Sequence, residues 1–281
     1  MNRLPPLFLP LIAGAVLVSF GCGAEQPAEI PKEAPAVAAP SAPAGPAGRI
    51  RGVVRLQGNA PAPAAEPITE NQSVCGNSVS LPRLVLAAGN AVRRAFVYLD
   101  NAPRVTDLRL QQTVLVDQKD CQYVPHALTA PVGAKLEVTN SDPILHNVHG
   151  SETTAEGGLR TLFNIAQPVR GQRTTVEPAL TKPGIVSLSC EAGHPWMSAY
   201  IFVADHPYVA VTNDNGEFVI DHVPVGTYRI KMWHEGVTLK RNIKTLQRYE
   251  YEEPYEITQE VVVEAGAEAV VNFDLALRPK P

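Results

Sequence analysis

The chain has 281 residues, with 24 Lys and Arg against 28 Asp and Glu and a formal net charge of -4. Its basic residues are not clustered, which argues against a nucleic-acid-binding surface. Twenty Gly and 26 Pro are spread along it, and short apolar runs alternate with polar residues, so the pattern is that of β-structure with many turns rather than of helices.

The first feature in chain order is an export signal over residues 1–21. Arg3 is the only early charge, and the apolar stretch from Leu4 to Phe20 ends at Gly21-Cys22. Its length and flanks are those of a signal peptide rather than of a spanning helix. A Cys after small residues at this point resembles a bacterial lipoprotein cleavage box, with Ser19 where that box usually has Leu. Cleavage before Cys22 would leave Cys22 carrying lipid; the plainer alternative is an ordinary signal peptide and an incidental Cys. Residues 22–48 are rich in Ala and Pro, including Pro27, Pro31, Pro35, Pro40, Pro43 and Pro46. Such a segment cannot bury a core and reads as a disordered tether. The expected location is the periplasm or the cell surface, with lipid anchoring to a bacterial membrane.

The folded part is expected from Arg49. Ile50 to Leu56 alternates and meets a Gly58-Asn59 turn, and Ala95–Leu99 is a second strand. Residues 59–90 carry little pattern. Further strands are predicted at Val114–Val116, Leu128–Ala130, Leu136–Thr139, Val176–Leu180, Ile185–Cys190 and Tyr200–Val203. Tyr208–Thr212, Phe218–Ile220, Tyr228–Trp233, Ile257–Val263 and Val270–Leu275 complete the series. No long helical period and no internal repeat is present.

The residues that carry chemistry lie in two places. In 184–203 a strand delivers Cys190, a short loop carries His194 and Met197, and a second strand leads away. Upstream, Leu136–Asn140 leads into a loop containing His146, Asn147 and His149. A thiolate and two neutral imidazoles, with a weak axial thioether, suit both oxidation states of copper.

These segments resemble the cupredoxin family, and Leu145-His146-Asn147-Val148-His149 is close to the upstream motif of its amicyanin-like and plastocyanin-like members. The resemblance covers residues 113–204 and implies a Greek-key β-sandwich holding one copper ion through His146, Cys190, His194 and Met197. It implies that Asn147 cross-links the two ligand loops by hydrogen bonds. Two departures stand out. The loop between Cys190 and His194 has three residues, Glu191, Ala192 and Gly193, where amicyanin-like members have two, and Gly193 is expected to absorb the extra one through a positive φ. Glu191 also replaces the usual Ser or Thr. A dinuclear centre is not expected, because Val186 stands where it would need a second Cys.

Once Cys190 is a ligand and Cys22 a lipid site, Cys75 and Cys121 are left either to pair in an oxidising compartment or to stay as free buried thiols. Trp196, between two ligands, is either part of an apolar docking patch or packing over the metal. His149 is a rim histidine or a further ligand, His126 is structural or faces the site, and Met232 reads as core. His206, His222 and His234 share no ligand spacing.

Residues 207–234, with the Asn213–Gly216 turn, Phe218 and Pro224-Val225-Gly226-Thr227-Tyr228, resemble the carboxypeptidase regulatory-like, or transthyretin-like, β-sandwich. The expected fold is therefore all-β, a cupredoxin sandwich plus a second, smaller transthyretin-like one. Residues 49–112 are expected to open that second sandwich and 205–281 to complete it, with the copper domain inserted, or else the two run in series. The implied function is a membrane-tethered electron carrier exchanging electrons with a c-type cytochrome, an oxidase or a dehydrogenase. Copper homeostasis without electron transfer and a surface structural or adhesion role are the alternatives; no enzymatic activity and no nucleic-acid partner are expected.

Overall fold

The computed structural model describes residues 45–61, 65–80, 83–104, 112–177, 180–243 and 248–279. The signal segment, Cys22 and most of the tether lie outside these residues. The first strand, Ala47–Gln57, begins two residues before the expected boundary. It alternates as its sequence demands, with Ile50, Val54 and Leu56 buried and Arg49, Arg51 and Arg55 exposed.

Two β-sandwiches share the chain. In one, Ala47–Gln57 pairs antiparallel with Glu217–Pro224 and parallel with Glu268–Val270 and Phe273–Ala276. The facing sheet runs Val209–Val211, Phe96–Leu99, Gly226–His234, Tyr255–Val263. Ile50, Val97, Leu99, Phe218, Ile230 and Phe273 fill the space between them. Strands before residue 100 thus pair with strands after residue 208.

The other sandwich is built from the stretch between. Its five-stranded sheet runs Leu159–Gln167, His146–Thr153, Gly184–Ser189, Ser198–Ala204, Ala127–Pro131. The facing sheet runs Arg173–Val176, Lys135–Asn140, Thr113–Lys119, Gln122–Val124. Val116, Leu136, Val138, Val148, Leu188 and Ile201 form its core. Phe96 and Trp233 of the first sandwich meet Phe202 of the second in a small apolar cluster.

Four expectations need correction. The strand expected at Val176–Leu180 lies at Arg173–Val176, because these residues pair with Leu136–Thr139. His146 to His149 is not a loop but the start of the strand His146–Thr153, and Leu159–Gln167 beside it was missed. His146–Thr153 is mostly polar, and a bulge between Thr161 and Phe163 breaks the alternation of Leu159–Gln167, so apolar periodicity does not reveal them. Residues 65–80 do not belong to the outer sandwich: Ile68 is buried in the core of the inner one. The hairpin of Leu239–Ile243 and Arg248–Tyr251 likewise places Tyr249 in that inner core.

Candidate metal centre

Three side chains converge at one end of the inner sandwich. His146 opens the strand His146–Thr153, and Cys190 directly follows Gly184–Ser189, which pairs with that strand. His194 is brought back by the loop after Cys190. In this loop Met197 N–H donates to the His194 carbonyl at 3.0 Å, and Cys190 N–H to the Met197 carbonyl at 3.4 Å. Gly193 has φ 88°, a left-handed conformation that lets the three-residue loop close.

Nδ1 of His146 lies 3.2 Å from Nδ1 of His194. The Cys190 Sγ is 3.6 Å from Nδ1 of His194 and 4.0 Å from Nδ1 of His146. A point equidistant from the three donors lies ~2.1 Å from each, within the range of metal–imidazole and metal–thiolate bonds, about 2.0–2.3 Å. The donor set therefore fits a first-row transition metal without rearrangement. Met197 is buried in the same core as Cys190. A second cluster, Cys121, Asp142 and His146, is not a ligand set, because Cys121 is joined to Cys75 in a disulfide.

Both imidazoles have a partner on the far nitrogen. His146 Nε2 meets Asp142 Oδ2 at 2.9 Å. The Asp142 carboxylate also accepts the backbone N–H groups of Asp120 and Cys121, each at 2.9 Å. Holding the Nε2 proton leaves Nδ1 free to face a metal. Burial depresses the His146 pKa despite the neighbouring Asp142. Burial, then the adjacent His146, bring that of His194 to about 4. Both rings are therefore neutral at pH 7, the ligating form. Burial raises the Cys190 thiol; a bound metal would offset that by taking the thiolate.

Asn147 ties the two ligand segments together. Its Oδ1 accepts the Glu191 N–H at 2.5 Å, and its Nδ2 donates to Asn164 Oδ1 at 2.7 Å. The Tyr123 hydroxyl donates to the Asn147 carbonyl at 2.5 Å. His149 does not join the cluster of His146, Cys190 and His194. Side chains alternate along a strand, so residues three apart face opposite sides. Its ring instead meets Glu191 Oε1 and Thr161 Oγ1, each at 2.8 Å. Glu191 thus uses its carboxylate to hold the outer face of the strand.

Trp196 is not a docking surface. It is 8% exposed, its indole N–H donates to the Cys121 carbonyl at 3.0 Å, and its ring stands edge-on to His194. Packing beside the buried His194 draws this large ring inward. His126 is not part of the His146, Cys190 and His194 cluster, and its ring pairs with Glu235. His234 Nδ1–H donates to the Glu235 carbonyl at 2.8 Å, and His206 Nδ1 accepts the Tyr208 N–H at 3.2 Å. Met232 is fully buried in the outer sandwich. Sequence reasoning missed Asp142 and Asn71, whose amide lies 3.1 Å from Nε2 of His194. Asp142 stands four residues before His146, a spacing that offered a signal; Asn71, 123 residues before His194, offered none.

No family model matches the chain, and no curated protein does. Among solved structures, similar ones include a purple cupredoxin from Nitrosopumilus maritimus, 24% identical, covering 34% of this chain and 100% of that one at a TM-score of 0.27. An amicyanin mutant in its Cu(I) state is 18% identical, covering 38% and 98% at a TM-score of 0.28. A copper-containing nitrite reductase from Thermus scotoductus is 21% identical, covering 43% of this chain but 25% of that one, at a TM-score of 0.26.

Proposed function

We propose that the chain binds one copper ion through His146, Cys190 and His194, with Met197 as a weak axial donor, and carries single electrons. The observation that supports this most is the meeting of two Nδ1 atoms and one thiol sulfur at bonding separation from a common point. Copper held by such a set cycles between Cu(I) and Cu(II). The residues around it contribute rigidity: paired strands fix Cys190 and His146, Asp142 orients one ring, and Asn147 locks one ligand loop to the other. Little would then rearrange as charge changes. Four protein donors leave no position for a substrate, so the reading is a carrier and not an enzyme.

The proposed setting is outside the cytoplasm, on a tether anchored through Cys22, with a c-type cytochrome, an oxidase or a dehydrogenase as redox partner. The outer sandwich is proposed to be a carboxypeptidase regulatory-like module that holds the copper-binding part as an insertion. The strand pairing of Ala47–Gln57 with Glu217–Pro224 favours insertion over a serial arrangement.

The test is the visible and electron-spin-resonance spectrum of the full chain with Cu(II), beside Cys190→Ser. An intense thiolate-to-copper band, bleached reversibly by reductant and absent in the variant, is expected. A weak band despite bound copper would overturn electron transfer and favour a copper-holding role in homeostasis.

A further inference from the structure

Residues 65–80 form a small structure of their own against the metal centre. Ala65–Pro67 pairs with Ser78–Ser80, and the hairpin encloses the one-turn helix Gln72–Cys75. Three attachments hold it there. Ile68, 1% exposed, is sunk into the inner core. Cys75 is bonded to Cys121, whose N–H reaches the Asp142 carboxylate. At the tip, Glu70 lies so close to Gly193 that a Cβ there would run into its carboxylate.

Between these points sits Asn71, in a left-handed conformation with φ 55° and ψ 31°, its Nδ2 3.1 Å from Nε2 of His194. Asn tolerates that backbone better than most residues. Asn71 itself is exposed on its outer side, while His194 beneath it is wholly buried.

We propose that this disulfide-pinned hairpin is a built-in cover over the metal centre and that Asn71 is a positioning residue for His194. An amide carries an acceptor and a donor on one carbon, so a half-turn satisfies either tautomer of the ring. Here the amide nitrogen Nδ2 faces Nε2; when Nδ1 faces a metal and Nε2 carries the proton, the amide would turn over so that the Asn71 oxygen accepts it. The same contact keeps water and small solutes from reaching Cys190 along the edge of His194. The positioning role rests on the copper reading of His194; the cover does not.

Two measurements on the full chain separate these points. The first uses metal-free protein: iodoacetamide is added under native conditions and carboxamidomethylation is followed by mass on the peptide carrying Cys190. Asn71→Gly keeps the left-handed backbone without strain and removes only the side chain. It is expected to speed alkylation roughly tenfold, the opening factor for one lost hydrogen bond. Because Ile68 and the disulfide also hold the hairpin, the double variant Cys75→Ser with Cys121→Ser is measured beside it, and equal rates in wild type and in both variants would overturn the cover.

The second uses the Cu(I)-loaded protein and the ring N–H resonance of His194. A slowly exchanging Nε2–H is expected in wild type. It should persist in Asn71→Asp, which still offers an acceptor, and exchange rapidly in Asn71→Gly. An unchanged resonance in Asn71→Gly would overturn the positioning role. Copper that leaves the His194 ring unperturbed would overturn the copper reading and that role together, while the alkylation rates still decide the cover.

Discussion

Asp142 shows how much one carboxylate can organise. It accepts two backbone N–H groups, from Asp120 and Cys121, and faces Nε2 of His146. Those two residues have φ 53° and 55°, so the turn that carries them is held in a conformation few side chains favour. Asp142→Asn would leave an NH2 facing a donor in a buried place, because three donors share two carboxylate oxygens. His146 would then be less firmly oriented. The expected result is metal affinity about 10–100-fold weaker, the range for losing a partner behind a ligating histidine. Competition against a chromophoric Cu(I) chelator measures it, and an unchanged constant would show that His146 needs no such partner. The Asp142–His146 spacing could be read in the sequence, but nothing local says that a carboxylate will turn toward a ring rather than toward water.

At the scale of an element, the disulfide between Cys75 and Cys121 spans 46 residues and fastens a short hairpin to the inner sandwich. The hairpin has little core of its own: beyond Ile68 it packs only partly buried Val74, Cys75 and Val79 against its neighbour. Cross-linking a loop of that length restricts the unfolded chain by about 4 kcal/mol in the chain-entropy account. The double variant Cys75→Ser with Cys121→Ser is therefore expected to lose about 3–4 kcal/mol in urea unfolding. A loss below about 1 kcal/mol would mean that the reduced hairpin stays docked by its packing alone. The weak pattern of residues 59–90 reflects the same physics. Elements held by a covalent bond and a few contacts need no strong periodicity to stay folded.

Across the whole molecule, one buried ion pair joins the two sandwiches. Glu235 directly follows the outer strand Gly226–His234, and it meets Arg83 and, on the inner side, His126. Arg83 Nε donates to the Gly236 carbonyl at 2.7 Å, its Nη1 to Ser198 Oγ at 3.1 Å and its Nη2 to the Tyr200 hydroxyl at 2.5 Å. The guanidinium also lies over Tyr251 at 3.7 Å. Burial alone would raise the Glu235 pKa, but Arg83 and then His126 outweigh it and bring it to about 2. A carboxylate with a depressed pKa adds stability that is present above its ordinary value and is lost as pH falls toward the folded one. The contribution, on the order of 3 kcal/mol, should thus be complete near pH 6 and gone near pH 2. Glu235→Gln leaves Arg83 buried without its counter-charge, an expected cost of about 3–5 kcal/mol at neutral pH. Its unfolding midpoint should approach that of wild type as pH is lowered. A gap that stays constant from pH 6 to pH 2 would show that the carboxylate charge is not what joins the sandwiches.

The sequence by itself determined what depends on near neighbours. Strands such as Ala47–Gln57 and Phe273–Ala276 alternate because each has one buried and one open face. Cys190 and His194 lie within one short loop, so their closeness and the need for a left-handed Gly193 at the tight point were legible from spacing. What only the tertiary structure decided rests on pairings between distant parts. Placing His146 beside Cys190 takes two strands about forty residues apart, and putting His146 and His149 on opposite faces takes a strand where a loop was expected. Asn71 and Trp196 were settled by packing: a distant hairpin closes over His194, and Trp196 turns inward to meet a carbonyl. Burial and hydrogen-bond satisfaction are properties of the assembled fold, and no local pattern of side chains encodes them.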